Sequence, residues 1–100
     1  MKTIFHICPK EDWEAAQEAG VYTAESLESE GFIHCSKAEQ IAGVANAFYK
    51  GIEGLVLLHI SLNKLQVEVR WEEAEGEVFP HIYGPINLNA VVEVEDFKAG

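Results

Sequence analysis

The feature that most constrains the fold is a nearly continuous apolar run, Leu-Val-Leu-Leu-His-Ile-Ser, at residues 55–61. A strand that faces water on one side alternates apolar and polar residues, whereas a strand covered on both faces reads as a continuous apolar segment. Leu55–Ser61 is therefore predicted to be a central strand with packed elements on both faces. At 100 residues the chain is expected to form a single domain, residues 1–100, with a core of its own.

Two helices are predicted before this strand. The first spans Lys10–Ala19, because Pro9 suits the first turn of a helix and Gly20 suits a left-handed cap. The second begins at Ser36, since Ser36 and Glu39 have the spacing of a capping box. Its predicted buried stripe, at helical spacing, consists of Ile41, Val44, Ala45 and Phe48.

The other predicted elements are mostly strands in series. They cover residues 3–8, 31–35, 66–72, 79–83 and 90–97. The segment Phe79–Tyr83 is expected at an edge or in a loop, because Pro80 cannot donate a hydrogen bond to a ladder. The polar residues 25–30 are predicted to form a loop or a single turn. Two early helices followed by strands indicate an α+β domain.

The charge of the chain excludes some classes of partner. Seventeen acidic residues stand against seven basic ones, for a formal net charge of -10. Phosphate backbones are held by clustered Lys and Arg, and anionic membranes repel an acidic surface, so neither nucleic acid nor a membrane is an expected partner. The N-terminus has no long apolar segment typical of a signal peptide, and a cytoplasmic location is expected. In that compartment Cys8 and Cys35 stay thiols, and both are interpreted as small buried residues.

Three of the four histidines lie in apolar, strand-like surroundings: His6, His34 and His81. Burying ring nitrogens without partners costs free energy, so histidines in such places suggest a built polar feature. Strand parity puts His34 on the same face as Phe32 and Ser36, and His81 on the same face as Tyr83. If the faces line one groove, their rings converge, and they can bind a ligand or transfer a proton near neutral pH.

Each of these residues also has a purely structural interpretation. His6 can be a satisfied core histidine, and His59, inside the most apolar strand, is interpreted as structural. Glu72 is either the carboxylate that a histidine-based site needs or an exposed acid among its acidic neighbours. Ser36 is first of all a helix cap. The two tryptophans, Trp13 and Trp71, are expected in or near the core.

The motifs of the chain resemble a small bacterial family, the domain-of-unknown-function family 952. The resemblance rests on the following runs in this order: Phe5-His6-Ile7, Gly31-Phe32-Ile33-His34-Cys35-Ser36, Trp71-Glu72 and Phe79-Pro80-His81-Ile82-Tyr83-Gly84-Pro85-Ile86. It covers about residues 3–97. It implies an ADP-ribosyltransferase-like fold, a small split antiparallel sheet with two helices, whose cleft holds NAD in active relatives.

The resemblance also implies roles for individual residues. His6 matches the strand residue that holds a ribose in active relatives, and His34 and Ser36 lie where a second strand leads into a helix. The late motif departs from the pattern, because it offers His81 and Tyr83, and Glu72 is not clearly equivalent to the catalytic Glu. The predicted catalytic residues are His34, His81 and Glu72. The predicted ligand-binding residues are His6, Tyr22, Ser36 and Tyr83, and no residue is assigned to a metal.

Three functions stay open on this basis. The leading hypothesis is a cleft that binds a nucleotide or another small ligand, with NAD as a candidate cofactor and a transfer reaction as a candidate activity. The second is a non-enzymatic interaction module that docks a protein through an exposed edge near Phe79–Ile86. The third is a zinc site built from three histidines. No oligomeric state is predicted.

Overall fold

The computed structural model describes residues 2–99 and has the α+β architecture predicted from the sequence. Its strands are β1 Thr3–Pro9, β2 Val21–Tyr22, β3 Ile33–His34, β4 Leu55–Ser61, β5 Glu68–Ala74, β6 Glu77–Tyr83, β7 Ile86–Asn87 and β8 Val91–Phe97. Its α-helices are α1 Lys10–Ala19, α2 Glu25–Ser29 and α3 Ile41–Phe48, and short 3₁₀ turns cover Ala38–Gln40 and Leu88–Ala90. Within residues 2–99 no helix has the length and apolar character that a bilayer crossing requires.

The strands form three small antiparallel sheets. Their strand orders are β1-β4-β8, β2-β7 and β3-β6-β5. The antiparallel pairing agrees with the expected fold class, but the described chain has three α-helices where two were expected. The additional helix is α2, which occupies most of the polar segment predicted as a loop or a single turn.

The predicted central strand is confirmed. The strand β4 pairs with β1 on one side and β8 on the other. Side chains on one face, Val56, Leu58 and Ile60, enter one hydrophobic cluster, while Leu55 and Leu57 on the other face enter a second. The two faces of one strand therefore join two separate parts of the core.

The second predicted helix, which the structure shows as α3, begins later than the capping-box spacing indicates. Ser36 is not a cap: it exchanges two backbone hydrogen bonds with Phe5, at 2.7 and 2.9 Å, and this isolated bridge ties the chain after β3 to β1. The turn starts at Ala38, and the Gln40 side chain accepts a hydrogen bond from the Lys37 N–H at 2.9 Å. The competing β-bridge to Phe5 overrides the local signal at Ser36.

Two predicted core aromatics are exposed. Phe48, at the end of α3, is 64% exposed although it lies on the predicted apolar stripe, and Trp71 is 45% exposed. Trp13 does pack against the core, as predicted. Both predicted buried cysteines are buried, with Cys8 2% and Cys35 4% exposed. Burial raises the pKa of both thiols, that of Cys8 to about 11, which keeps them protonated at neutral pH.

The prediction of an edge position for Phe79–Tyr83 is wrong, because β6 is the middle strand of its sheet. Pro80 is tolerated there because of the short partner on one side. Its carbonyl accepts the Cys35 N–H at 3.1 Å, so its ring nitrogen also points to the β3 side. Since β3 ends at His34, the missing N–H of Pro80 falls at the margin of the ladder, opposite Cys35, and costs at most one hydrogen bond there. The segment is therefore not a free edge for docking a protein.

We expect Gly84→Ala to lower the free energy of unfolding by about 1–3 kcal/mol, because the new methyl group crowds the half-buried side chain of Val67. A Cβ at Gly84 would lie 2.8 Å from Val67 Cγ1 and 3.1 Å from Val67 Cβ. Urea denaturation measures the effect. Adding Val67→Ala to the Gly84→Ala chain removes Val67 Cγ1, the nearest atom, but keeps Cβ, so it should recover part of the loss relative to Val67→Ala alone. An unchanged midpoint for Gly84→Ala would contradict the expectation.

Candidate functional site

A cleft of about 800 Å³ gathers most of the residues singled out in the sequence. It lies among β1, the C-terminal end of α3 and the β3-β6-β5 sheet. Its lining includes six of the seven predicted site residues: His6, His34, Ser36, Glu72, His81 and Tyr83. The seventh, Tyr22, is 1% exposed and does not line the cleft. Four of these six residues carry rings, His6, His34, His81 and Tyr83, and these four rings therefore meet at one cleft.

Three of these residues form one hydrogen-bonded group, which we call the Glu72 triad: Glu72, His81 and Tyr83. The oxygen Oε1 of Glu72 lies 2.7 Å from His81 Nδ1 and accepts the hydroxyl of Tyr83 at 2.6 Å. The strand register explains the arrangement. Glu72 on β5 lies opposite Phe79 on β6, so His81 and Tyr83 follow on the same face of β6.

The protonation of the Glu72 triad follows from its geometry. A carboxylate only accepts hydrogen bonds, so the hydrogen on the His81 ring lies on Nδ1. The hydrogen bonds from Tyr83 and His81 lower the pKa of Glu72, and the bond to Glu72 raises the pKa of Tyr83. At neutral pH Glu72 is therefore ionised and Tyr83 is a hydroxyl donor.

The ring of His81 is held firmly and has one free nitrogen. Its side chain is 8% exposed and stacks on Phe32, with ring centroids 4.1 Å apart and planes 16° apart. The ring of His34 meets it edge-on at 5.4 Å. No residue within 2–99 hydrogen-bonds to His81 Nε2. With the hydrogen on Nδ1, this nitrogen has an unused lone pair at the cleft.

His6 is neutral and fully engaged. Its Nδ1 lies 2.6 Å from the carbonyl oxygen of His34, which can only accept, so Nδ1 donates. Its Nε2 then accepts the hydroxyl of Tyr22 at 2.7 Å. Burial lowers the pKa of His6 to about 4. His6 and Tyr22 thus fix the backbone at His34 rather than offer free polar atoms to a ligand.

His34 and Ser36 also line the cleft and differ in their freedom to move. The Nε2 of His34 lies 3.1 Å from Glu30 Oε2, and both side chains are about half exposed. Ser36 is buried and its backbone is held by Phe5. His34 can therefore move toward a ligand, whereas Ser36 is fixed in place.

Comparison with known proteins supports the family suggested by the motifs. The family described as "Protein of unknown function (DUF952)" matches residues 7–94. The chain belongs to this family. A crystal structure of protein CC0527 from Caulobacter crescentus superposes with a TM-score of 0.86 at 31% identity, covering 94% of this chain and 84% of that one. The solution NMR structure of CC0527 gives 0.83 at 31% identity, covering 98% and 86%. No curated protein matches the chain.

The lining of this DUF952 cleft contains residues that sequence reasoning missed. Aromatic rings come from Phe32 and from Phe48 and Tyr49 at the end of α3, and carboxylates come from Glu30 and Glu75. The parity of Phe32 with His34 was a usable signal. The sequence does not indicate the position of Phe48 at the cleft, because an apolar residue at helical spacing is predicted to be core whether or not a cleft opens beside it.

The three-histidine zinc site is not supported by this arrangement. Both nitrogens of His6 are already bonded within the protein. Among residues 2–99, the side chains close enough to share an ion are instead His59, Glu93 and Glu95. Glu93 lies opposite His59 in the β4–β8 register, and the closest contact is 3.5 Å, between His59 Nε2 and Glu95 Oε2. This group lies outside the cleft.

Proposed function

We propose that this DUF952 protein binds a small molecule in the cleft and that Glu72 and His81 perform general acid–base catalysis on it. The observation that carries the proposal is the free Nε2 of His81, on a ring oriented by Glu72 at 2.7 Å and stacked on Phe32. A histidine whose other nitrogen is bonded to a carboxylate is a well-oriented base with the proper tautomer.

The proposed step is a proton transfer coupled to a group transfer. His81 Nε2 removes the proton of a water or hydroxyl as its oxygen forms the new bond. The leaving group departs with the bonding electron pair, and the His81 imidazolium returns the proton to it. Ionised Glu72 stabilises the imidazolium, and Tyr83 holds Glu72 in place. No Ser, Thr or Cys side chain within 2–99 hydrogen-bonds to this nitrogen, so water or a ligand hydroxyl is the proposed nucleophile.

We further propose that the cleft is ADP-ribosyltransferase-like and that the reaction it catalyses is a transfer. It is supported by the position of Glu72 in the cleft, where an ionised carboxylate can stabilise a ribose-derived cation. His34 sits beside His81 as a second group able to exchange protons. A nucleotide such as NAD is the corresponding ligand to test.

Amide chemical-shift titration tests the binding part of the proposal. The probes are NAD, ADP-ribose, adenosine and nicotinamide, each up to millimolar concentration. We expect at least one probe to shift the amides of residues 32–34, 72–75 and 81–83. If none of the four moves these signals, the proposed function is wrong.

The acid–base part is tested by Glu72→Gln with Glu68→Gln as the matched control. Glu68 lies on the same face of β5 but pairs with Arg70 at 2.9 Å rather than with His81. We expect Glu72→Gln to change the ¹⁵N shifts of the His81 ring and to weaken binding of the responsive probe several-fold. Glu68→Gln, which keeps the bond between Glu72 and His81, should change both much less. Equal behaviour of the two variants would contradict the role of Glu72.

A further inference from the structure

We infer that the cleft selects a cationic aromatic ring and disfavours small ligands that carry only negative charge, such as inorganic phosphate and free carboxylates. This inference rests on the proposed function, since it names the class of ligand for the same cleft. Three independent features carry it: the charge of the lining, the exposed aromatic rings and the free acceptor at His81.

The charge of the lining is one-sided. Four glutamates are among the residues that line the cleft, Glu30, Glu72, Glu73 and Glu75, and no Lys or Arg lines it among residues 2–99. The closest cation on this sheet is Arg70, whose guanidinium lies 4.2 Å from the Tyr83 ring centre and bonds both oxygens of Glu68 at 2.9 and 3.2 Å. An anion entering the cleft therefore meets repulsion without a compensating basic group.

The aromatic lining supplies faces for a flat ligand. Phe48 is 64% exposed, an unusual position for a large apolar side chain, and Tyr49 follows it beside the cleft. Phe32 and Tyr83 also line the cleft, but one face of each ring is already covered, by His81 and by Arg70 respectively. The faces for a flat ligand therefore come mainly from Phe48 and Tyr49. The faces of aromatic rings attract cations, and this attraction adds to that of the surrounding carboxylates.

The free nitrogen of His81 adds a specific polar contact. It belongs to a side chain that is more than nine-tenths buried, and it can accept a hydrogen bond from an N–H of the ligand. A flat cation with an amide or ring N–H satisfies this acceptor, the carboxylates and the aromatic faces together. A phosphate oxygen satisfies none of them.

Three probes with the same ring but different charges separate the effect of charge on binding from the effect of shape. They are 1-methylnicotinamide, which is a cation, nicotinamide, which is neutral, and nicotinate, which is an anion. Amide-shift titrations at low salt give a dissociation constant for each. We expect the cation to bind most tightly and the anion at least about tenfold more weakly than the cation, with the gap narrowing at high salt.

Charge-neutralising variants show whether the cleft carboxylates cause this order. Glu73→Gln with Glu75→Gln should reduce the preference for the cation several-fold. Glu14→Gln with Glu18→Gln on α1 changes the net charge equally at exposed positions outside the cleft and should leave the preference nearly unchanged. Phe48→Ala should weaken the binding of both 1-methylnicotinamide and nicotinamide.

The outcomes separate this inference from the proposed function. Tightest binding of nicotinate in the cleft, or equal binding of all three probes, overturns the inference and leaves the acid–base site intact. An unchanged order in the Glu73→Gln, Glu75→Gln variant also overturns it. If neither these probes nor the nucleotides shift the cleft amides, the proposed function fails as well.

Discussion

Replacing Leu58 by alanine is expected to lower the free energy of unfolding by about 2–5 kcal/mol, because it leaves a cavity in the interior. Leu58 is 0% exposed at the middle of the central strand β4 and belongs to the larger of the two hydrophobic clusters. A loss of this size is a large part of the stability of a domain of 100 residues, so the variant should unfold at much lower urea. Urea denaturation followed by circular dichroism measures it.

The matched control is Val94→Ala. Val94 lies directly opposite Leu58 on β8 but is 38% exposed at the edge of the sheet. The Val94→Ala variant should therefore lose much less unfolding free energy than the Leu58→Ala variant. Similar losses for the two variants would contradict the packing of β4 between two layers.

Elements set by local signals are predictable from this sequence. The helix α1 runs from Lys10 to Ala19 as predicted, because Pro9 starts it and Gly20 adopts a left-handed conformation at φ 89° to end it. The strand β4 is equally predictable from the sequence, since a continuous apolar run in a domain of this size favours a strand that is covered on both faces.

Elements set by distant partners are not predictable in the same way. Ser36 carries a good capping signal, yet its backbone pairs with Phe5, 31 positions earlier along the chain. Pro80 argues for an edge, yet β6 lies in the middle of its sheet because the neighbouring strand β3 is two residues long. Neither the partner of Ser36 nor the length of β3 leaves a trace in the local sequence.

The candidate site likewise has one part that local sequence predicts and one part that depends on strand pairing. Parity within a strand predicted that His81 and Tyr83 share a face, because alternation is a local property. The bond that joins both to Glu72 depends on the β5–β6 register, and the two strands meet at the turn Glu75-Gly76. A shift of one residue in that register would turn Glu72 to the other face and dismantle the triad.

The second large effect is expected from pH, through His6. Its pKa is about 4 in the folded protein, against an ordinary value of 6.5 when exposed. The unfolded chain therefore binds more protons between these values, so the contribution of His6 is complete above pH 6.5 and is lost as the pH falls toward 4. At roughly 1.4 kcal/mol per pH unit, the loss amounts to about 3 kcal/mol.

The structural consequence of protonating His6 lies at the cleft. A protonated ring has a hydrogen on both nitrogens, so Nε2 can no longer accept the hydroxyl of Tyr22. The same ring holds the carbonyl of His34 at 2.6 Å, and so the backbone beside His81 loses its support on that side. Acid is therefore expected to loosen the cleft before it unfolds the domain.

Two measurements check this expectation. In an NMR titration the His6 ring should stay neutral until about pH 4. The fall in unfolding free energy between pH 6.5 and 4 should be smaller in His6→Asn than in the natural chain, while His34→Asn, which keeps His6 and the backbone carbonyl that it binds, should retain the part of the fall that His6 causes. A His6 ring that titrates near 6.5 would mean that water reaches it, and the hydrogen-bonded support of His34 would then have to be abandoned.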